Sequence, residues 1–98
     1  MMFNIDTGVC CVYMLKCGDG SLYTGWTNDF NKRFEAHVCG RGAKYTRGRG
    51  PIEAVYLEVC EDKIAATKRE FAIKKLPAIK KRQLVDSSLN EIKTYVVE

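Results

Sequence analysis

A three-residue break, Gly18-Asp19-Gly20, separates two short apolar and aromatic runs, VCCVYMLKC at 9–17 and SLYTGW at 21–26. Both runs have strand length and contain the Val and Tyr that suit a pleated surface. A three-residue loop bounded by glycines favours a hairpin, because glycine takes positive φ at small cost. Such a loop sets the register: Cys17 falls opposite Ser21, Leu15 opposite Tyr23 and Tyr13 opposite Gly25. Two phenols are then expected side by side on one face, with a glycine clearing space in front of one of them.

The chain beyond the hairpin reads as helices around a small sheet. Thr27 or Asn28 suits a helix N-cap, and Asp29 favours the positive end of the helix dipole. The helix is expected over about 29–38, with Phe30, Phe34 and Val38 as its core stripe and Arg33 and His37 along the edge. Gly40 and Gly42 end it. A loop through Arg49-Gly50-Pro51 leads to a third strand at about 53–59, with Val55, Leu57 and Val59 on one side. Asp62 caps a second helix, 63–75, whose apolar side includes Ile64, Ala65, Phe71, Ala72 and Leu76, with Glu70 at its border. Pro77 suits the first position of a third helix, about 77–86. The remaining SLNEIKTYVVE reads as an edge strand or a frayed tail. The order ββαβαα, a three-stranded antiparallel sheet flanked by helices, is an α+β domain. One such domain fits 98 residues, with its core at about 9–86.

Charge adds a direction. The formal net charge is +4, yet RGAKYTRGRG at 41–50 carries Arg41, Lys44, Arg47 and Arg49 with no acid. KREFAIKKLPAIKKR at 68–82 carries seven Lys or Arg against one acid, Glu70. Glu53, Glu58, Glu61 and Asp62 gather between these segments. Charge alone fits a surface facing a polyanion and a set of solvated helix faces equally well. The five cysteines are odd in number and show no zinc-ligand spacing, so they read as reduced thiols without a role. No apolar run approaches the roughly 20 residues that span a bilayer. MMFNIDTGVCC has no basic n-region or long apolar h-region and does not read as a signal peptide. A soluble intracellular protein, of cytoplasm or nucleus, is expected.

One ordered set of polar residues carries the chemistry: Tyr13, Tyr23 ten residues on, then Arg33, His37 and Glu70. This set resembles the signature of the GIY-YIG nuclease superfamily. Cys11-Val12-Tyr13 stands at the first triplet and Tyr23-Thr24-Gly25 at the second. Arg33 and His37 match the helix positions that follow, and Glu70 matches the metal-binding glutamate of a later helix. GWTNDFNKRFEAH with GRGAKYTR is similar to the small stand-alone members, and the resemblance spans about residues 9–80. In two places the chain departs from the pattern. CVY replaces GIY with its tyrosine kept, and Trp26 stands where several of the nucleases have lysine.

The resemblance implies a metal-dependent nuclease that hydrolyses DNA phosphodiester bonds, in DNA repair or recombination. Tyr13 or Tyr23 would activate water, directly or through His37. Glu70 would hold Mg²⁺ or Mn²⁺, and Arg33 would neutralise developing charge. Elementary chemistry agrees with these residue types. Mg²⁺ often takes only one or two protein carboxylates, with water and phosphate completing its shell. Arginine offers phosphate a rigid fork, and histidine moves protons near neutral pH. A phenol acting as base would need its pKa lowered by nearby positive charge. Lys44, Tyr45, Arg47 and Arg49 are then candidates for binding the nucleic acid. Trp26 is a candidate for base stacking or for plain packing. Phosphate contacts of this kind read no sequence, so specificity should be weak. RNA remains open as a substrate. Two other functions compete: a non-catalytic nucleic-acid-binding module, and a nuclease subunit that needs a protein partner.

Overall fold

The structure is a computed structural model that describes residues 2–97. After a two-residue strand, β1 (Met2–Phe3), the chain forms the hairpin that its glycines dictate. Strand β2 (Cys11–Lys16) pairs antiparallel with β3 (Leu22–Thr27), with Leu15 opposite Tyr23 and Tyr13 opposite Gly25. Gly20, at φ +84°, takes the left-handed conformation the loop needs. Strand β4 (Glu53–Val59) joins the other edge of β2, giving the sheet order β3-β2-β4. The expected three-stranded antiparallel sheet with flanking helices is therefore present.

Central β2 is buried on both faces, so two apolar layers form. One unites Cys11, Tyr13, Leu15 and Leu57 with Phe30 and Phe34 of helix α1 (Phe30–Val38). The other unites Val12, Met14 and Tyr56 with Ala66 and Ile73 of helix α2 (Lys63–Lys74). Helix α3 (Ala78–Val85) follows, with Pro77 at its N-cap, one position ahead of the expected first turn.

Several local expectations are corrected. Asp29, not Thr27 or Asn28, caps α1 by accepting from the Lys32 amide, while Thr27 Oγ1 accepts from the Asp29 amide. Val38 is 54 % exposed and His37 only 1 % exposed. At about 100° per residue, His37 lies roughly 20° from Phe30 around the helix and Val38 roughly 80°, so the histidine completes the inward stripe. In β4 a register shift at Met14/Leu15 moves Val55 to the α2 face, away from Leu57 and Val59. Ile64 and Phe71 of α2 are exposed, because the inward pair is Ala66 and Ile73 on the opposite side. Small Ala66 seats the helix against the sheet.

The C-terminal stretch is neither frayed nor part of the main sheet. A short helix, α4 (Ile92–Tyr95), leads into β5 (Val96–Val97), which pairs with β1 in a second, two-stranded sheet. Asn90 and Glu91 fasten this segment to the free edge of β4. Asn90 Oδ1 accepts from the Leu57 amide, its amide group donates to Val55 O, and Glu91 Oε2 accepts from the Val59 amide. Phe3, Ile5 and Ile92 enter the first core layer, beyond the expected 9–86. No helix among the described residues is long and apolar enough to cross a membrane.

Candidate active site

Alternation along the hairpin puts Tyr13 and Tyr23 on the α1 face, with ring centroids 6.4 Å apart. Gly25 faces Tyr13 across the ladder. A Cβ on Gly25 would come to 2.6 Å from the phenolic oxygen, so the phenol lies directly against bare backbone. From α1, His37 reaches the same place. Its Nε2 lies 2.9 Å from the Tyr13 hydroxyl in a buried hydrogen bond, and its ring centroid is 5.3 Å from that of Tyr23.

Burial, and then the charge of Arg33, lower the His37 pKa to about 4, so the imidazole is neutral at neutral pH. Burial pushes the Tyr13 phenol up to about 12, with Arg33 opposing the rise and Tyr23 adding to it. The guanidinium is in turn held up by its polar interaction with the Tyr13 hydroxyl, with Tyr23 contributing. Arg33 also lines an open groove of about 340 Å³ beside Lys32, Asp29 and Thr27. It therefore connects buried Tyr13 and half-buried Tyr23 to solvent.

A 3-10 turn, Lys44–Thr46, closes the far side of His37. Thr46 Oγ1 is 2.9 Å from His37 Nδ1. Tyr45 stacks on Tyr23 at 5.8 Å with 26° between the rings. Arg49 lies 4.4 Å over Tyr45 and forms an ion pair with Asp19 at 2.7 Å. Ser21 first, and Arg49 after it, hold the Asp19 carboxyl down at about 2. Lys44 and Arg47 are exposed.

Glu70 comes from α2 with its side chain 21 % exposed, and Lys74 lies 3.8 Å from it. Lys74 is also 6.0 Å from the Tyr23 ring centroid, which brings the Glu70 end of α2 toward the phenols. Among the described residues no group of three or more His, Cys, Asp or Glu side chains is placed to hold an ion. Glu70 is a single hard oxygen donor, and that suits Mg²⁺ or Mn²⁺ bound by one carboxylate with water and phosphate in the other positions.

Trp26 lies elsewhere. It alternates onto the α2 face, half-buried against the Val12 layer, with Lys63 6.0 Å from its ring. Its ring therefore packs on that face of the sheet and not beside the phenols. The fold thus gathers Tyr13, Tyr23, Arg33 and His37 and stacks Tyr45 on Tyr23. Glu70 and Trp26 both belong to the α2 side of the sheet, with Lys74 lying between Glu70 and Tyr23. Sequence reasoning passed over Thr46 and read Gly42 only as a helix stop. A Cβ on Gly42 would overlap His37 Nδ1 and lie 2.7 Å from Cγ. Both residues stand in the GRGAKYTR block, where a glycine and a threonine four apart just after the helix were the available signal.

A family model of the GIY-YIG catalytic domain matches residues 9–83. The UPF0213 protein CPE1444 of Clostridium perfringens is 54 % identical over 87 residues, which cover 89 % of this chain and 94 % of that protein. The UPF0213 protein OB0043 of Oceanobacillus iheyensis is 48 % identical over 75 residues, 76 % of this chain and 87 % of its own. Two solution NMR structures are also similar. The UPF0213 protein BH0048 of Bacillus halodurans has a TM-score of 0.55 at 45 % identity, covering 82 % of this chain and 85 % of that one. EF2693 of E. faecalis has a TM-score of 0.58 at 38 % identity, covering 87 % and 88 %.

Proposed function

Because the chain belongs to the GIY-YIG family, in its small stand-alone UPF0213 group, we propose that it is a divalent-metal-dependent endonuclease that hydrolyses DNA phosphodiester bonds. Members of the superfamily are generally endonucleases and act on DNA. DNA repair or recombination is the setting we propose. The observation that carries this reading is the buried 2.9 Å hydrogen bond between Tyr13 and His37, with Arg33 beside it.

Water attacking phosphorus must lose a proton, and Tyr13 is suited to relay it. The phenolic oxygen accepts a proton from water as its own proton passes to His37 Nε2. A standing tyrosinate is not needed, and burial opposes one. Arg33 couples this relay to substrate. Its charged fork binds a non-bridging phosphoryl oxygen from the open groove that it lines, next to the Tyr13 hydroxyl. Neutralising that charge also relieves one of the two influences that depress His37, so the acceptor becomes more basic when phosphate arrives. The new phosphorus–oxygen bond forms as the bond to the leaving oxygen breaks, and that oxygen takes a proton from solvent.

Glu70 would hold Mg²⁺ or Mn²⁺, and the ion when bound supplies charge neutralisation on the phosphate and leaving oxygens. Lys44 and Arg47, exposed on the turn beside Tyr45, steer the strand toward the site. Arg49 contributes less, because Asp19 already pairs with it. The test is cleavage of single-stranded, duplex and branched DNA with Mg²⁺ or Mn²⁺ by the wild type, Glu70→Ala and Arg33→Ala. Metal-dependent cleavage lost in both variants supports the assignment. Variants that cleave at the wild-type rate refute it, and an inactive wild type would favour a binding module or a missing protein partner.

A further inference from the structure

The loop that follows α1 does more than end it. Thr46 Oγ1 stands 2.9 Å from His37 Nδ1, and the same hydroxyl donates its proton to the Ala43 carbonyl, also at 2.9 Å. A hydroxyl has one proton to give. With that proton on Ala43 O, Thr46 can only accept from His37, so the imidazole proton sits on Nδ1. A neutral imidazole carries a single N–H, which leaves Nε2 bare and facing the Tyr13 hydroxyl. Thr46 and His37 are 2 % and 1 % exposed, so water does not supply an alternative partner from bulk.

We propose that Thr46 is a positioning residue that fixes the His37 tautomer and so aims a bare Nε2 at the Tyr13 hydroxyl. Its catalytic purpose rests on the nuclease reading; the tautomer does not. Gly42 is part of the same device. Any side chain at Gly42 would meet the imidazole, so only glycine lets the 41–46 backbone pack flat on the ring and bring Thr46 within reach. The 3-10 turn that carries Thr46 also places Tyr45 on Tyr23. One turn therefore braces the histidine and the second phenol together. A threonine that merely satisfied a buried histidine would fill the same space without determining which nitrogen faces the phenol.

His37 is the only histidine in the chain, so its ring nitrogens are read without ambiguity. The experiment is long-range ¹⁵N–¹H correlation of the ¹⁵N-labelled full chain near neutral pH, for wild type, Thr46→Ser and Thr46→Val. The wild type and Thr46→Ser should show the Nδ1–H tautomer, and Thr46→Val should shift toward Nε2–H. In the same proteins kcat for DNA cleavage should fall about 10- to 100-fold in Thr46→Val, with KM little changed and serine restoring the rate. That loss is part of the roughly 10²–10⁴-fold that a positioned proton acceptor contributes. A wild-type Nε2–H tautomer overturns the proposal, as does a Thr46→Val protein that keeps Nδ1–H. So does a shifted tautomer with an undiminished rate. Thr46→Ala serves the same reading if the valine variant does not fold. Full cleavage by Tyr13→Phe would instead refute the nuclease mechanism while leaving the tautomer result intact.

Discussion

Gly25 lies directly across the hairpin from Tyr13, and a Cβ built on it would stand 2.6 Å from the phenolic oxygen and 2.8 Å from Cζ. The constraint is steric, since Gly25 is not among the positive-φ glycines. Gly25→Ala must therefore push the phenol away from His37. Overpacking of this kind costs about 1–3 kcal/mol. For a domain of this size that corresponds to a fall in Tm of roughly 4–8 °C per kcal/mol. Thermal denaturation checks it, and an unchanged Tm would show that the ring has room to spare.

His37 makes stability depend on pH. The unfolded chain protonates its histidine near 6.5 and the fold resists until about 4. Between those values the unfolded state binds more protons, so stability is lost as pH falls through the window and the loss is complete below it. Tyr13, Tyr23, Arg33 and Thr46 face the imidazole. Burial raises the Tyr13 phenol, and the Arg33 guanidinium is held up, so neither of these titrates in that window. Each pH unit across that window is worth about 1.36 kcal/mol, so the expected loss is about 3 kcal/mol. Urea midpoints from pH 7 to pH 4 should fall more steeply for the wild type than for His37→Gln. Parallel curves would contradict a buried neutral imidazole.

Thr24 carries the one buried side-chain oxygen that finds no partner among the described residues. A buried hydroxyl without a hydrogen bond costs about 1–3 kcal/mol. Thr24→Val keeps the shape and removes that hydroxyl, so it should raise Tm by several degrees. A lowered Tm would mean that the hydroxyl is satisfied in solution.

Binding to DNA should be salt-dependent and divided unequally among the basic side chains. Each phosphate contact adds about 0.9 to the slope of log K against log salt on duplex DNA. Lys44→Ala and Arg47→Ala should each reduce the slope by about that amount. Arg49→Ala should reduce it less, because Arg49 already pairs with Asp19 and lies over Tyr45. Fluorescence anisotropy across a salt series measures all three, and equal losses would put Arg49 among the phosphate contacts.

The hairpin was readable because a glycine-bounded loop leaves few registers, and the Tyr13–Gly25 pairing followed from it. The depth of His37 was harder to read. A histidine beside a valine looks like the edge residue, yet rotation around α1 favours position 37, and Thr46 and Tyr13 satisfy both ring nitrogens. Those partners come from 9 positions downstream and 24 upstream, distances no helical periodicity reports. Trp26 shows a related limit: its neighbours in sequence face the site, while strand alternation turns its ring to α2. The terminal strands were hidden because two residues each carry almost no pattern. What holds their segment to β4 is a set of side-chain hydrogen bonds from Asn90 and Glu91.

The central claim is that Tyr13 passes the proton of the attacking water to His37. Single-turnover cleavage of a labelled DNA strand with Mg²⁺ or Mn²⁺, by wild type and Tyr13→Phe, addresses it most directly. The variant keeps the ring and loses only the hydroxyl. Its rate should fall at least about 100-fold, within the range for a lost proton-transfer group, while DNA binding is retained. Cleavage by Tyr13→Phe at the wild-type rate would contradict the account.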